Sequence, residues 1–87
     1  MKEHIVITGA SGLVGRALLA RYLEQGCPVI ALSRKPPVIA GSGPASHPLL
    51  SWHWADVSLP RFGLAPATYA EICRKARLVF HLAARTD

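Results

Sequence analysis

Acidic residues are scarce in this chain. Five Asp and Glu stand against ten Lys and Arg, a formal charge of +5, and no acid occurs between Glu24 and Asp56. That sign favours anionic partners, phosphate-rich ligands among them. The signal is diffuse, because Arg16, Arg21, Arg34, Arg61, Arg74, Arg77 and Arg85 are spread along the sequence. Thiols are fewer still. Cys27 and Cys73 stand in apolar contexts without metal-ligand spacing. Both are expected as reduced core thiols, and the protein as intracellular and cytoplasmic. Long apolar runs are missing as well. The opening stretch Met1–Thr8 is too short for a signal peptide and breaks at Gly9-Ala10-Ser11-Gly12. The longest uncharged stretch, Pro36 to Ala55, is full of Pro, Gly and Ser, so no membrane partner is expected. His4, His47, His53 and His81 have no second ligand at workable spacing, so no metal site is expected either.

What remains is a core. Apolar residues make up 51% of 87 positions, enough for one small domain and too many for wholesale disorder. A chain this short buries only about 60% of its unfolded surface and should be marginal by itself.

Hydrophobic patterning alternates between two periods. His4 to Thr8 is short, β-branched and nearly all apolar, as in a strand covered on both faces. Gly9 to Gly12 reads as a tight turn. From Leu13 the spacing becomes helical, with Leu13, Val14, Ala17, Leu18 and Tyr22 on the apolar side and Arg16, Arg21, Glu24 and Gln25 largely opposite. Gly26 ends this helix. Pro28 to Ser33 is a second apolar strand, and Arg34 to Pro48 an irregular loop rich in proline. Leu49 to Ala55 is a third strand, with Trp52 and Trp54 on one face and His53 on the other. After a loop from Asp56 to Ala65, a second helix spans Pro66 to Ala76. Pro66 suits its first position, while a Thr68–Glu71 capping box would start it slightly later. Leu78 to Leu82 is the fourth strand. The order β-α-β-loop-β-α-β predicts an α/β fold with a parallel, doubly wound sheet and helices on both faces. No repeat or linker divides the chain.

The informative motif is Thr8-Gly9-Ala10-Ser11-Gly12-Leu13-Val14-Gly15, placed between a predicted strand and a predicted helix. Gly9 permits the sharp exit from the strand, Gly12 lets bare backbone approach a pyrophosphate, and Gly15 lets the helix pack closely on the sheet. The helix start at Leu13 and Val14 then offers amides and a positive dipole end to phosphate, and Ser11 adds a hydroxyl. The bland alternative is a Gly-rich turn without a ligand. A P-loop is excluded, because no Gly-Lys-Ser/Thr follows.

Three further stations follow. An NAD site usually carries Asp or Glu at the end of the second strand, for the ribose 2′-hydroxyl. Here Ser33-Arg34-Lys35 stands instead. A carboxylate would repel a 2′-phosphate, whereas Arg grips it bidentately and Lys adds charge. The pattern therefore points to NADP(H), with NAD(H) as the alternative and solvated loop charges as the plain reading. Asp56-Val57 follows the third strand, where the expected geometry gives Asp56 the adenine amine and Val57 the ring face; a turn-initiating Asp is the alternative. Leu82 ends the fourth strand and Ala83-Ala84 follow it, small residues that let backbone lie beside the adenosine ribose and nicotinamide side, or that simply pack; all three are candidate cofactor-binding residues.

Together Thr8–Gly15, Ser33-Arg34, Ala55-Asp56-Val57 and His81-Leu82-Ala83-Ala84 resemble the extended short-chain dehydrogenase/reductase superfamily, across nearly the whole chain. The stretch Asp56 to Leu64, followed by a helix and His81 to Ala84, looks most like the thioester-reductase or fatty-acyl reductase branch; NAD-dependent epimerases and dehydratases share most of it. The resemblance implies a partial Rossmann fold with strand order 3-2-1-4 and a cofactor at the strands' C-terminal edge. It implies hydride transfer on a carbonyl, thioester or sugar-nucleotide substrate. It also exposes a departure. The family's Tyr-x-x-x-Lys is not here: Tyr22 is followed four residues on by Gly26 and Tyr69 by Cys73, so no proton relay is available and no residue is assigned a catalytic role. Residues 1–87 are thus expected to be the N-terminal, cofactor-binding portion of a longer reductase, with the remainder of that chain as partner. A free-standing nucleotide-binding or regulatory module is the alternative. A nucleic-acid partner, suggested by the charge and by Trp52 and Trp54 as stacking platforms, is not expected, since no basic cluster accompanies the pair and alternation on a strand reads as core packing.

Overall fold

The structure is a computed structural model that describes residues 3–35 and 47–82. Four strands, β1 (His4–Thr8), β2 (Val29–Ser33), β3 (Leu50–Trp54) and β4 (Ala76–His81), form one sheet in the order β3-β2-β1-β4. Every neighbouring pair is parallel. α1 (Leu13–Glu24) connects β1 to β2, and α2 (Pro66–Lys75) connects β3 to β4. The architecture and strand order are those expected.

The two central strands are apolar from Ile5 to Ile7 and from Val29 to Leu32 because both faces are covered. On one face Ile5, Ile7, Val29 and Ala31 pack under Leu19 and Leu23 of α1. On the other, Val6, Ile30 and Leu32 pack with Ala55 and with Ile72 of α2. Period-2 alternation thus divides each strand between two cores, and the buried polar residues, Thr8 and Ser33, stand at the strands' C-terminal ends. Tyr22 and Phe80 close the α1 side, with ring centroids 5.8 Å apart.

Three expectations need correction. The buried face of α1 is Gly15, Leu19 and Leu23, while Leu13 and Val14 are 77% and 60% exposed. The packed stripe is rotated by about one residue from the apolar one, because Gly15, the residue without a side chain, is where the helix touches the Gly9–Ala10 turn after β1. Cys73 is exposed, one position round α2 from the buried Ile72; Cys27 does pack against the core. Trp52 and Trp54 are 38% and 47% exposed, because β3 is the sheet's edge and lies beyond α1's reach. Boundaries shift more mildly. β4 starts at Ala76, directly at the end of α2, and a register shift between His4 and Ile5 skips Arg77. Pro66 opens α2; Glu71 turns toward Arg74 (2.9 Å) and Lys75 (3.2 Å) rather than capping. Lys75, then Arg74, holds the Glu71 carboxyl below its usual range. Of the loop from Arg34 to Pro48, residues 36–46 lie outside the described residues.

The loop after β3 contains a short 3-10 turn, Pro60–Gly63, in which Arg61 (φ 50°), Phe62 (φ 56°) and Gly63 (φ 77°) are all left-handed. For a non-glycine residue that conformation costs about 1–2 kcal/mol. Backbone bonds hold it: Asp56 N–H donates to the Phe62 carbonyl (2.9 Å), Phe62 N–H to Leu59 (2.9 Å), and Leu64 N–H to Arg61 (3.0 Å). The Phe62 ring is anchored against His81 and Tyr69, whereas Arg61 is exposed. Arg61→Gly is therefore expected to stabilise the fold, by about 0.5–1 kcal/mol after the greater chain entropy of glycine is deducted. A urea midpoint that falls in this variant would show that the turn is not strained.

No helix among the described residues is long and apolar enough to cross a membrane.

Candidate functional site

β1 ends in a turn built on backbone. Gly9 is left-handed (φ 71°), its N–H donates to the Leu32 carbonyl (3.0 Å), and its own carbonyl accepts from Gly12 N–H (3.1 Å). A Cβ on Gly15 would lie 2.3 Å from the Gly9 carbonyl oxygen and 2.7 Å from Ala10 Cα, so the first turn of α1 rests directly on this loop. At Gly12, the helix N-cap, a Cβ would meet nothing closer than the same oxygen at 3.4 Å. A helix leaves its first amides without intrahelical acceptors. In α1 no side chain caps them and no acid stands in the first turn.

Opposite this turn, β2 ends at Ser33. Arg34 and Lys35 follow, both exposed. Ser33 is 6% exposed; its hydroxyl donates to the Lys35 carbonyl and accepts from the Trp52 indole N–H at 3.0 Å. Past β3, Asp56 Oδ1 accepts from both the N–H (3.0 Å) and the hydroxyl (2.7 Å) of Ser58. This is the turn-initiating geometry that a short carboxylate favours.

These segments wall one cleft of about 850 Å³, lined by Gly9, Ser11, Gly12, Leu32, Ser33, Arg34, Lys35, Ala55, Asp56, Val57, Ser58 and Leu82. It lies at the C-terminal edge of the sheet, and its volume is of the size that holds a cofactor. Most residues singled out from sequence meet here. Leu13, Val14 and Gly15 form the adjoining first turn of α1, while Ala83 and Ala84 lie outside the described residues. The lining carries two cations, Arg34 and Lys35, and one acid, Asp56. Chemically it is a cradle for an extended, anionic, partly aromatic ligand.

The sequence reading missed the supports. Thr8 Oγ1 and His81 Nδ1 are hydrogen-bonded at 3.0 Å, and the His81 ring stacks on Phe62 with centroids 6.0 Å apart. Together they tie the ends of β1 and β4 to the strained turn. Only the strand register makes this visible, since Thr8 pairs with His81 in the sheet. The Asp56-x-Ser58 pair did carry a signal in sequence, as a side-chain turn motif. Among the described residues no cluster of His, Cys, Asp and Glu is able to hold a metal ion.

The fold recurs in the terminal R domain from the myxalamid PKS-NRPS biosynthetic pathway, with a TM-score of 0.75 and 18% identity over 99% of this chain and 26% of that one. It recurs also in UDP-galactose 4-epimerase, with a TM-score of 0.64 and 26% identity over 97% of this chain and 25% of that one. Among curated proteins, the polyketide synthase-nonribosomal peptide synthetase pyiS of Pyricularia grisea is 34% identical over 83 residues, 91% of this chain and 2% of that protein. The hybrid PKS-NRPS synthetase mpsA of Macrophomina phaseolina (strain MS6) is 36% identical over 87 residues, 92% of this chain and again 2% of that protein. The chain therefore spans about 2% of the length of the curated relatives it matches. Residues 5–87 match the NAD dependent epimerase/dehydratase family, whose name carries a nicotinamide dinucleotide. With that match over nearly its whole length, the chain belongs to the NAD dependent epimerase/dehydratase family.

Proposed function

We propose that this chain is the NADP(H)-binding portion of a reductase that transfers hydride to a carbonyl or thioester substrate. The observation that carries the cofactor choice is the end of β2, where Arg34 and Lys35 line the same cleft as the glycine turn and no acid takes the ribose position. In this reading the pyrophosphate lies against Gly9, Ser11 and Gly12 and the amides of Leu13, Val14 and Gly15. Arg34 and Lys35 hold the 2′-phosphate, with Ser33 beneath them. Asp56 and Val57 stand at the adenine, and Leu82, Ala83 and Ala84 toward the ribose and nicotinamide side. When bound, the cofactor supplies hydride; the residues of this chain bind and orient it. The relatives named as polyketide synthase-nonribosomal peptide synthetases and the likeness to a terminal R domain favour the thioester-reductase branch over the sugar-nucleotide one.

The test is a parallel titration of the full chain with NADPH and NADH, repeated on Arg34→Ala. A charge-assisted contact to phosphate is worth about 10- to 100-fold in affinity. NADPH binding should weaken by that factor in the variant, and NADH binding should stay within about twofold. Equal losses for both nucleotides would remove the 2′-phosphate from Arg34.

A further inference from the structure

We infer that Trp52 is a positioning residue for the 2′-phosphate, acting through Ser33 on the backbone that carries Arg34 and Lys35. The inference rests on the NADP(H) reading above and extends it to a residue that does not line the cleft.

A serine hydroxyl has one proton to give and two lone pairs to accept with. At Ser33 one lone pair takes the Trp52 indole N–H at 3.0 Å, and the proton goes to the Lys35 carbonyl. The two bonds are coupled. With the indole N–H aimed at the oxygen, the hydroxyl proton must point elsewhere, and the Lys35 carbonyl is where it points. An indole N–H is a donor only, so the direction of this relay is not ambiguous. Each bond polarises the other. The outcome is a closed bend after β2 whose shape is set from β3. Parallel register places Trp52 beside Ala31 and Trp54 beside Ser33, so the Trp52 side chain reaches diagonally across to the last residue of β2.

The consequence concerns selectivity. Ser33 is 6% exposed and its proton is committed, so Ser33 serves the phosphate through the backbone rather than by donating to it. Arg34 and Lys35 have long, flexible side chains, and ordering them on a phosphate costs entropy. A fixed bend lowers that cost by starting both side chains from one place. NADH, without the 2′-phosphate, draws nothing from the arrangement.

Four variants of the full chain, Trp52→Phe, Ser33→Ala, the two combined, and Ser33→Thr, separate this from simple packing, with Arg34→Ala as the reference. Trp52→Phe keeps an aromatic ring on β3 and removes the N–H together with part of the indole's bulk, and the NADH affinity reports any effect of the lost bulk. NADPH affinity should fall about three- to tenfold, with NADH affinity unchanged. Ser33→Ala should fall by a similar factor, and Ser33→Ala with Trp52→Phe should fall no further, since both break one relay. Ser33→Thr retains the hydroxyl and should keep wild-type selectivity. If Trp52→Phe leaves the NADPH-to-NADH ratio unchanged while Arg34→Ala lowers it, the relay is irrelevant and the NADP(H) reading survives. If Trp52→Phe weakens both nucleotides equally, Trp52 is structural only and the inference is overturned. If the wild-type chain binds neither nucleotide, the NADP(H) reading falls and takes this one with it.

Discussion

Gly15→Ala is expected to cost about 2 kcal/mol of folding stability, even though alanine is the better helix former. The two effects have opposite signs. Helix propensity alone predicts a gain of about 1 kcal/mol on replacing an interior glycine. Packing predicts a loss, because the new methyl would sit 2.3 Å from the Gly9 carbonyl oxygen, 2.7 Å from Ala10 Cα and 3.0 Å from the Gly9 carbonyl carbon. All three are backbone atoms. They belong to a turn whose Gly9 N–H is bonded to Leu32 and whose carbonyl is bonded to Gly12, so no rotamer change relieves the contact. The helix must move off the sheet, and Leu19 and Leu23, both in the core beneath it, move with it. Overpacking of a tight site costs about 1–3 kcal/mol, and rigid surroundings place this one at the upper end. Small domains hold little in reserve, so the variant should be substantially unfolded. Urea denaturation followed by far-UV circular dichroism reads the change directly. A midpoint equal to or above that of the parent would mean that α1 does not sit on the glycine turn as described.

The sheet was the most legible part of the fold. β1 and β2 announce themselves because burial on two faces favours an unbroken apolar run: Ile5-Val6-Ile7 alternates between the two cores and remains apolar at every step. Alternation of strands and helices predicts only a parallel, doubly wound sheet; the strand order came with the resemblance to extended short-chain dehydrogenases/reductases, and the sheet has it. The edge was less legible. Trp52 and Trp54 alternate with His53 in the way a half-buried strand does, and that pattern cannot say whether the covering layer reaches them. On β3 exposure is high, and Trp52 is fixed instead by its N–H to Ser33.

Helix faces were read less well than helix positions. Leu13 and Val14 are strong apolar residues at the start of α1, and counting hydrophobicity puts them inward. The governing contact comes from a residue that hydrophobicity scales ignore: Gly15 approaches the Gly9–Ala10 backbone, and its register then selects Leu19 and Leu23. For the site, the glycine turn and Ser33-Arg34-Lys35 were visible because their spacing is local. Trp52 to Ser33, Thr8 to His81 and Phe62 to His81 were not, since each joins segments brought together by strand register or by left-handed backbone at Arg61 and Phe62, a conformation that those residue types do not advertise.

Gly12→Asp separates stability from binding at the same turn. Gly12 is the N-cap of α1, with φ −77° and ψ 173°, the extended conformation that Asp adopts readily at a cap. A Cβ there has only the Gly9 carbonyl oxygen at 3.4 Å, an ordinary contact. The fold should therefore tolerate the change, and the new carboxylate should accept from the amides of the first turn, raising stability by a few tenths of a kcal/mol. Those amides are the donors that the proposed pyrophosphate needs. Asp would occupy them and set a negative charge beside the phosphates. Two such charges about 4 Å apart near a protein surface repel by about 4 kcal/mol, close to a thousandfold in affinity. Both NADPH and NADH should be lost alike, unlike in Arg34→Ala, while the urea midpoint holds. Gly12→Asn divides the two causes: it takes the amides without the charge, and its loss should fall between the parent and Gly12→Asp. Undiminished nucleotide affinity in a folded Gly12→Asp chain would mean that no phosphate rests on this turn.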